Sequence, residues 1–199
     1  MEMKQAYDAL ILAGGRGTRL GGKDKGWVMW EGLPLVEHAL SVLSKQSPPP
    51  ARILISANRN VDAYQQTGHT VVSDERPHFV GPLAGIEAGL MRCKKNNLLV
   101  IPCDTPLLPG NLFERLQEAL SNNPEALAAY ATTSEGPQSL CCLMKPSVAA
   151  SLGKQLDAGH GAVHAWLDTI QAIPVMFDHA ASFANFNTPE SLNSHRNPS

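Results

Sequence analysis

The chain has 199 residues, 43% of them hydrophobic, and its 16 basic and 18 acidic side chains leave a formal net charge of −2. This length is enough for one domain with a substantial core, and the balanced charge argues against a nucleic-acid binder, which usually carries a basic excess. Because no apolar run approaches the roughly 20 residues that span a bilayer and the N-terminal segment is polar, we expect a cytoplasmic protein without membrane contact.

Apolar runs of strand length alternate with helical segments, which predicts one domain over residues 1–199 with a mostly parallel α/β sheet and frayed tails at 1–6 and 193–199. After a first strand at 9–13 and a short β-excursion at 27–33, the predicted strands are 53–55, 70–72, 98–101, 126–131, 139–144 and 173–177. The predicted helices are 34–45, 61–66, 82–94, 112–120, 148–156, 162–167 and a last one with Thr188 as its N-cap.

The first predicted strand runs into a segment rich in glycine and basic residues that ends at position 25. Its glycines and cations are Gly14, Gly15, Gly17, Gly21, Gly22, Arg16, Arg19, Lys23 and Lys25. Glycine has no Cβ, so main-chain N–H groups can approach a ligand closely, while the cations supply positive charge beside them. A buried strand followed by bare backbone and clustered cations suits a polyphosphate, so the segment predicts a nucleotide site.

Two common nucleotide motifs fail in this segment at their most diagnostic positions. The pattern GxxxxGK fits residues 17–23, but Asp24 stands where a P-loop requires Ser or Thr for magnesium. The dinucleotide pattern GxGxxG requires a glycine where the chain has Leu20. Both the P-loop and the dehydrogenase interpretations are therefore weakened.

The same segment resembles the signature loop of the nucleotidyltransferases related to molybdenum cofactor guanylyltransferase, the MobA family. The matching residues are Leu12, Ala13, Gly14, Gly15, Arg19, Gly21 and Lys25. Further motifs come in the family's order, namely Asp74 after a strand, GPLAG at 81–85, PCDTP at 102–106 and NFNTPE at 185–190. The resemblance covers nearly the whole chain and implies a Rossmann-like three-layer nucleotidyltransferase fold with a mostly parallel central sheet.

The resemblance implies transfer of GMP from GTP to the phosphate of molybdopterin or Mo-molybdopterin, with release of pyrophosphate. The resemblance assigns catalysis to Arg19, Lys25 and Asp104, and it places a Mg²⁺ cofactor on Asp104. Asp104 follows the predicted strand 98–101, at the edge of the sheet where α/β proteins bind ligands. The nucleotide contacts that it implies are Leu12, Ala13, Gly14, Gly15, Lys25, Ser56, Asp74, Gly81, Pro82, Leu83 and Asp104. The alternative role of Asp104 is to cap a helix.

Recognition of the base is open between several residues. A carboxylate can accept the N1–H and the exocyclic amine of guanine together, which cytosine does not offer, and Asp74 matches a nucleotide-contacting aspartate of the family. Asp74 could instead contact ribose or organise water near the metal. Ser56 falls where several relatives carry a nucleotide-contacting asparagine, and Asn58 could substitute for it.

The acceptor side is where the chain departs most from the MobA family. Relatives often carry two arginines after the glycine that matches Gly159, whereas here Gly161 and Ala162 come after His160. His160 and His164 lie four apart on a predicted helix and could bind the anionic acceptor or be plain surface histidines. The asparagines of NFNTPE, Asn185 and Asn187, are expected to line the acceptor side or to form a turn before the last helix.

Two rival functions remain open from the sequence. One is a CTP-dependent cytidylyltransferase acting on molybdopterin or another phosphorylated acceptor, and the other is a non-catalytic nucleotide-binding module. The expected partners are GTP and molybdopterin, with molybdoenzymes or other cofactor-synthesis proteins as further partners, and the chain is expected to be a monomer or a weak oligomer. Cys93, Cys103, Cys141 and Cys142 lack metal-binding spacing and are interpreted as reduced packing thiols.

Overall fold

Seven of the nine strands in the computed structural model, which describes residues 6–14, 24–74, 76 and 81–186, form one central sheet. In chain order the strands are β1 (Asp8–Leu12), β2 (Met29–Trp30), β3 (Leu33–Pro34), β4 (Arg52–Ser56), β5 (Thr70–Val72), β6 (Leu98–Pro102), β7 (Ala128–Thr133), β8 (Gly136–Met144) and β9 (Ile173–Met176). The helices are α1 (Leu35–Ser44), α2 (Val61–Gln65), α3 (Pro82–Arg92), α4 (Leu112–Asn122), α5 (Ala149–Asp157) and α6 (Val163–Thr169).

The central sheet has the order β5-β4-β1-β6-β8-β7-β9. Its strands run parallel except β8, which pairs antiparallel with both β6 and β7. In the parallel half, Leu10 of β1 lies between Leu54 of β4 and Val100 of β6. Every residue of β1 and β6 is buried, as expected for parallel strands covered on both faces. The predicted mostly parallel α/β sheet is confirmed.

Helices cover both faces of the sheet and bury two separate apolar cores. On one face Ala9 and Ile11 of β1 pack with α1 and α4, and on the other Leu10 and Leu12 pack with α3, α5 and α6. The alternation results from the period of two in a strand. Each fully buried Leu or Ile contributes roughly 1.5–3 kcal/mol, so the two cores together hold the strand ends in place.

The structure refines the predicted elements at several points. A 3-10 helix at Lys25–Trp27 and another at Ala180–Phe183 were not predicted from the sequence. His160 precedes α6 rather than lying on it, so the prediction that His160 and His164 share a helix is wrong. The predicted helix after Thr188 and nearly all of the two predicted tails lie outside the described residues.

The cysteines behave as the sequence predicts. Cys103, Cys141 and Cys142 are buried, Cys93 is half-buried, and all four are free thiols. Burial raises the pKa of Cys103 and of Cys142 to about 12, so both thiols stay protonated at neutral pH. In the described part of the chain, no helix combines the length and the apolar composition that crossing a membrane requires.

Candidate functional site

A cavity opens where β1, β4 and β6 end, at the carboxyl edge of the parallel half of the sheet. Ligands bind at this edge in open α/β sheets, because the loops after the strands converge there. The cavity is lined by Leu12, Gly14, Lys25, Ser56, Asn58, Asp74, Gly81, Pro82, Gly85, Pro102, Asp104 and Leu140.

Most of the nucleotide-site residues that the sequence predicts, where the structure describes them, line this cavity. Two do not: Ala13 is buried in the core below β1, and Leu83 is fully buried among the apolar side chains beneath α3. Gly15 and Arg19 lie outside the described residues. Their predicted contacts therefore stay predictions.

The end of β1 is tied to the end of β4 through a single carbonyl. The N–H groups of Ala13 and Gly14 both donate to the Ser56 carbonyl, at 3.0 and 2.9 Å. These two main-chain donors are therefore used within the protein, whereas the sequence suggested that Gly14 would present its N–H to a ligand. Gly14 contributes surface to the cavity instead, and Ser56 fixes the start of the glycine segment.

Asp104 and Lys25 form an ion pair in the wall of the cavity. Asp104 comes two residues after β6, and its side chain is only 3% exposed, whereas that of Lys25 is 28% exposed. A carboxylate this deeply buried requires a partner charge or strong hydrogen bonds, because desolvation penalises the unpaired ion. The next helix along the chain, α4, begins only at Leu112, so the alternative interpretation of Asp104 as a helix cap is wrong.

The residues around Asp104 fit a hard divalent cation of the Mg²⁺ type. Within the described ranges no group of three or more His, Cys, Asp or Glu side chains could hold a metal. Mg²⁺ does not need such a cage, since it keeps several waters and is commonly bound through one or two carboxylates together with substrate phosphates. The Asp104 carboxylate on the cavity wall suits that mode of binding.

Asp74 stands at the other side of the cavity and is held by Asn58. The side-chain amide of Asn58 donates to Oδ2 of Asp74, and its Oδ1 accepts the Asp74 main-chain N–H at 3.0 Å. Among the described residues, no protein group donates to Oδ1 of Asp74. Asn58 thus orients the Asp74 carboxylate at the cavity. The sequence alone left the roles of these two residues open.

The N-terminus of α3 faces the same cavity. Gly81 adopts φ 78° just before Pro82 at the first helical position, a backbone conformation that a residue with a side chain rarely adopts. A Cβ on Gly85 would lie 2.5 Å from Oγ of Ser56, so a larger residue would force the Ser56 side chain to shift where α3 approaches the ends of β1 and β4. Gly85 was missed as a site residue, although the final glycine of GPLAG was a usable signal.

The predicted acceptor residues are only partly brought to the site. His160 is exposed and does not line the cavity, but the carbonyl of Gly161 lies 3.9 Å from the place a Cβ on Gly81 would take. The connector before α6 therefore passes beside the cavity rim. His164 is exposed on α6 and lies 3.7 Å from the carboxylate of Asp168.

Asn185 reaches the site through its neighbour in the chain. The N–H of Phe186 donates to the carbonyl of Asp104 at 2.8 Å, and the Phe186 ring packs edge-on against Trp30 at 4.8 Å. Phe186 is fully buried, so it holds the chain beside Asp104, and the preceding residue Asn185 is exposed. Asn187 lies outside the described residues.

Comparison with known proteins gives a consistent assignment. Residues 9–173 match the MobA-like NTP transferase domain. The chain is 43% identical over 186 residues to the molybdenum cofactor guanylyltransferase of Polynucleobacter asymbioticus, covering 92% of each chain. It is 42% identical over 190 residues to the enzyme of the same name from Cupriavidus metallidurans, covering 94% of this chain and 92% of the relative.

Solved structures share the fold at lower sequence identity. Molybdopterin-guanine dinucleotide biosynthesis protein A from Archaeoglobus fulgidus superposes with a TM-score of 0.70 at 22% identity, covering 94% of this chain and 95% of that one. CMP:2-keto-3-deoxy-manno-octonic acid synthetase complexed with CTP superposes with a TM-score of 0.74 at 13% identity, covering 96% of each chain. The predicted three-layer nucleotidyltransferase fold is confirmed.

Proposed function

The chain belongs to the MobA-like NTP transferase family, and molybdenum cofactor guanylyltransferases are among its relatives. On that premise, we propose that it transfers GMP from GTP to the phosphate of molybdopterin. Pyrophosphate is the second product. The observation that carries the proposal is the Lys25–Asp104 ion pair, which joins a cation and a buried carboxylate inside the cavity at the sheet edge. A nucleotidyl transfer needs both charges there, one for the phosphates and one for a metal.

The reaction proceeds by in-line attack of the acceptor phosphate on the α-phosphorus of GTP. Lys25 donates to the phosphate oxygens, since its ammonium carries three hydrogens and only some of them are used by Asp104. We assign Arg19 the same role on the departing pyrophosphate. Positioning and charge stabilisation of this kind supply most of the catalysis in phosphoryl-type transfer, which needs no protein nucleophile.

Asp104 is the residue that would hold Mg²⁺. Mg²⁺ held there would supply Lewis-acid stabilisation of the negative charge that develops on the phosphates. The contribution of the protein is the position of the carboxylate, which is fixed by its burial and by the two main-chain hydrogen bonds beside it. These are the Cys103 N–H to the Leu12 carbonyl at 3.2 Å and the Phe186 N–H to the Asp104 carbonyl at 2.8 Å.

We assign recognition of guanine to Asp74. Its carboxylate lines the cavity and is oriented by Asn58, and a carboxylate can accept hydrogen bonds from the guanine edge. Cytosine offers no N1–H and amine pair in that geometry, so Asp74 favours GTP over CTP. Ser56 lines the cavity between Asp74 and Asp104 and supplies a hydroxyl at the place where relatives carry asparagine.

We place the acceptor on the side of Asp104 where Phe186 donates to its carbonyl, next to Asn185. Asn185 and Asn187 supply amide donors there, and His160 stands in the connector that lacks the arginine pair of relatives. Three properties stay predictions from the sequence. They are the cytoplasmic location, the monomeric or weakly associated state, and the partnership with molybdoenzymes or other cofactor-synthesis proteins.

The test is product formation with defined substrates. Purified protein is incubated with molybdopterin, Mg²⁺ and either GTP or CTP, and the pterin product is identified by mass while pyrophosphate is quantified. We expect the guanine dinucleotide with stoichiometric pyrophosphate from GTP. The cytosine dinucleotide as the main product would favour the CTP-dependent rival, and nucleotide binding without pyrophosphate would favour the non-catalytic module.

A further inference from the structure

We propose that Asp24 is a positioning residue for the reaction, fixing Lys25 in the direction of Asp104, and that Tyr64 and Asn60 hold Asp24 in place. The inference rests on the proposed function, because Lys25 is taken to bind the triphosphate of GTP. Asp24 does not line the cavity itself. Its effect on the reaction therefore passes through its neighbour in the chain.

Asp24 accepts three hydrogen bonds, one from its near neighbour Gly26 and two from the α2 segment. Its Oδ1 accepts from the Tyr64 hydroxyl at 2.6 Å and from the Gly26 N–H at 3.2 Å, and its Oδ2 accepts from the Asn60 side-chain amide at 3.0 Å. Hydrogen bonds to an ionised acceptor are roughly twice as strong as neutral ones. The carboxylate thus fastens the residue before Lys25 to the segment after β4.

Main-chain hydrogen bonds after Asp24 fix the position of the Lys25 backbone. Asp24 has an extended conformation with φ −67° and ψ 124°, and it is the N-cap of the 3-10 helix that begins at Lys25. The Asp24 carbonyl accepts the Trp27 N–H at 3.1 Å, and the Lys25 carbonyl accepts the Val28 N–H at 3.2 Å. The main chain on both sides of Lys25 is therefore fixed, so its side chain starts from a defined point.

Gly26 and Tyr64 fit each other closely. Tyr64 is fully buried, and a Cβ on Gly26 would lie 2.3 Å from its hydroxyl oxygen. Only glycine at this position lets the hydroxyl reach Asp24. Burial, together with the bond to Asp24, raises the pKa of Tyr64 well above its ordinary value, so the phenol remains a donor at physiological pH.

The arrangement gives position 24 a task different from that of the matching P-loop residue. A P-loop Ser or Thr turns its hydroxyl toward magnesium, whereas Asp24 turns its carboxylate toward α2 and away from the cavity. Lys25, the next residue, faces the cavity and Asp104. Asp24 thus anchors the main chain, and the adjacent Lys25 contacts the cavity.

A double-mutant cycle on GTP binding tests the proposal. The dissociation constants of Mg²⁺-GTP and of guanosine are measured by calorimetry for wild type, Asp24→Ala, Lys25→Ala and the double variant. We expect Asp24→Ala to weaken GTP binding about 30-fold in the wild-type background and less than about threefold with Lys25→Ala present. Guanosine, which has no phosphate, should bind Asp24→Ala as it binds wild type.

Asp62→Ala is the matched control, because Asp62 is an exposed carboxylate on the same α2 segment. It removes the same charge and should leave GTP binding unchanged. Should Asp24→Ala fail to fold, Tyr64→Phe takes its place in the cycle with an expected loss of about tenfold, again absent with Lys25→Ala.

Two results would overturn the inference, and they differ from each other. If wild type binds GTP but Asp24→Ala weakens it equally with and without Lys25, Asp24 acts independently of Lys25 and the inference alone fails. A wild-type protein that binds no GTP would remove the proposed function and this inference with it.

Discussion

The two aspartates of the cavity differ in burial and in partner. Asp104 is 2% exposed and paired with an ammonium group, whereas Asp74 is half-buried and held by the neutral amide of Asn58. A buried carboxylate needs an opposite charge to offset desolvation, while a hydrated one needs only a directing hydrogen bond. The cavity therefore has a charge-handling side at Asp104 and a hydrogen-bonding side at Asp74.

This difference separates the chemistry from the choice of nucleotide. Every nucleoside triphosphate presents the same phosphates to Asp104 and Lys25, so that side cannot discriminate between bases. In the proposed function, the Asp74 side meets the base edge, which differs between guanine and cytosine. Changes on the two sides should accordingly have different signatures.

The largest effect is expected on the charge-handling side. Asp104→Asn keeps the size of the side chain but removes the charge that pairs with Lys25 and that we propose holds Mg²⁺. We therefore expect turnover to fall about 1,000-fold with either nucleotide. Pyrophosphate release with GTP and molybdopterin is the measurement. Asp62→Asn is the control and should keep full activity, and near-normal turnover of Asp104→Asn would contradict the metal assignment.

An intermediate and selective effect is expected on the hydrogen-bonding side. Asp74→Asn replaces an acceptor-only group by an amide, so we expect the preference for GTP over CTP in kcat/KM to drop about 30-fold, with turnover of CTP unchanged. Parallel assays with the two nucleotides give this ratio. Equal losses for GTP and CTP would move Asp74 from base recognition to ribose or metal.

The smallest effect concerns stability rather than activity, and it depends on the burial of a thiol. Cys103 is the buried neighbour of Asp104, and burial raises its pKa from 9.0 to about 12. Because the folded pKa is raised, the stabilisation is complete below pH 9 and is lost as pH rises toward 12. At pH 10 this thiol alone should lower the free energy of unfolding by about 1.4 kcal/mol relative to neutral pH.

Urea unfolding of wild type and Cys103→Ala at pH 7.5 and pH 10 checks this expectation. The variant loses packing at both pH values, so only the change with pH is informative. We expect wild type to lose more stability than Cys103→Ala on going to pH 10. An identical change in both proteins would show that the thiol does not titrate as its burial requires.

The sequence predicted those features of the site that depend on one strand and the residues immediately after it. A buried apolar run ending in PCDTP predicted both β6 and the position of Asp104 at the sheet edge, and the short run before Asp74 predicted β5 in the same way. An apolar run of strand length was sufficient to predict these elements. Parallel strands bring their carboxyl ends together, so the convergence of the two aspartates could also be predicted.

Contacts between distant parts of the chain were not predictable in this way. The bond from Tyr64 to Asp24 joins residues 40 positions apart, and the Ser56 carbonyl accepts the N–H groups of two residues that belong to another strand end. Local pattern carries no signal for such pairings. The burial of Leu83 and the place of His160 outside α6 were likewise set by how α3 and α6 pack on the sheet.

Calorimetric titration of Mg²⁺-GTP and Mg²⁺-CTP into wild type, Asp104→Asn and Asp74→Asn tests the division of the cavity most directly. The account predicts that wild type prefers GTP, that Asp104→Asn weakens both nucleotides by a similar factor, and that Asp74→Asn weakens GTP alone. Equal affinity of wild type for GTP and CTP, or equal weakening of both nucleotides by Asp74→Asn, would contradict it.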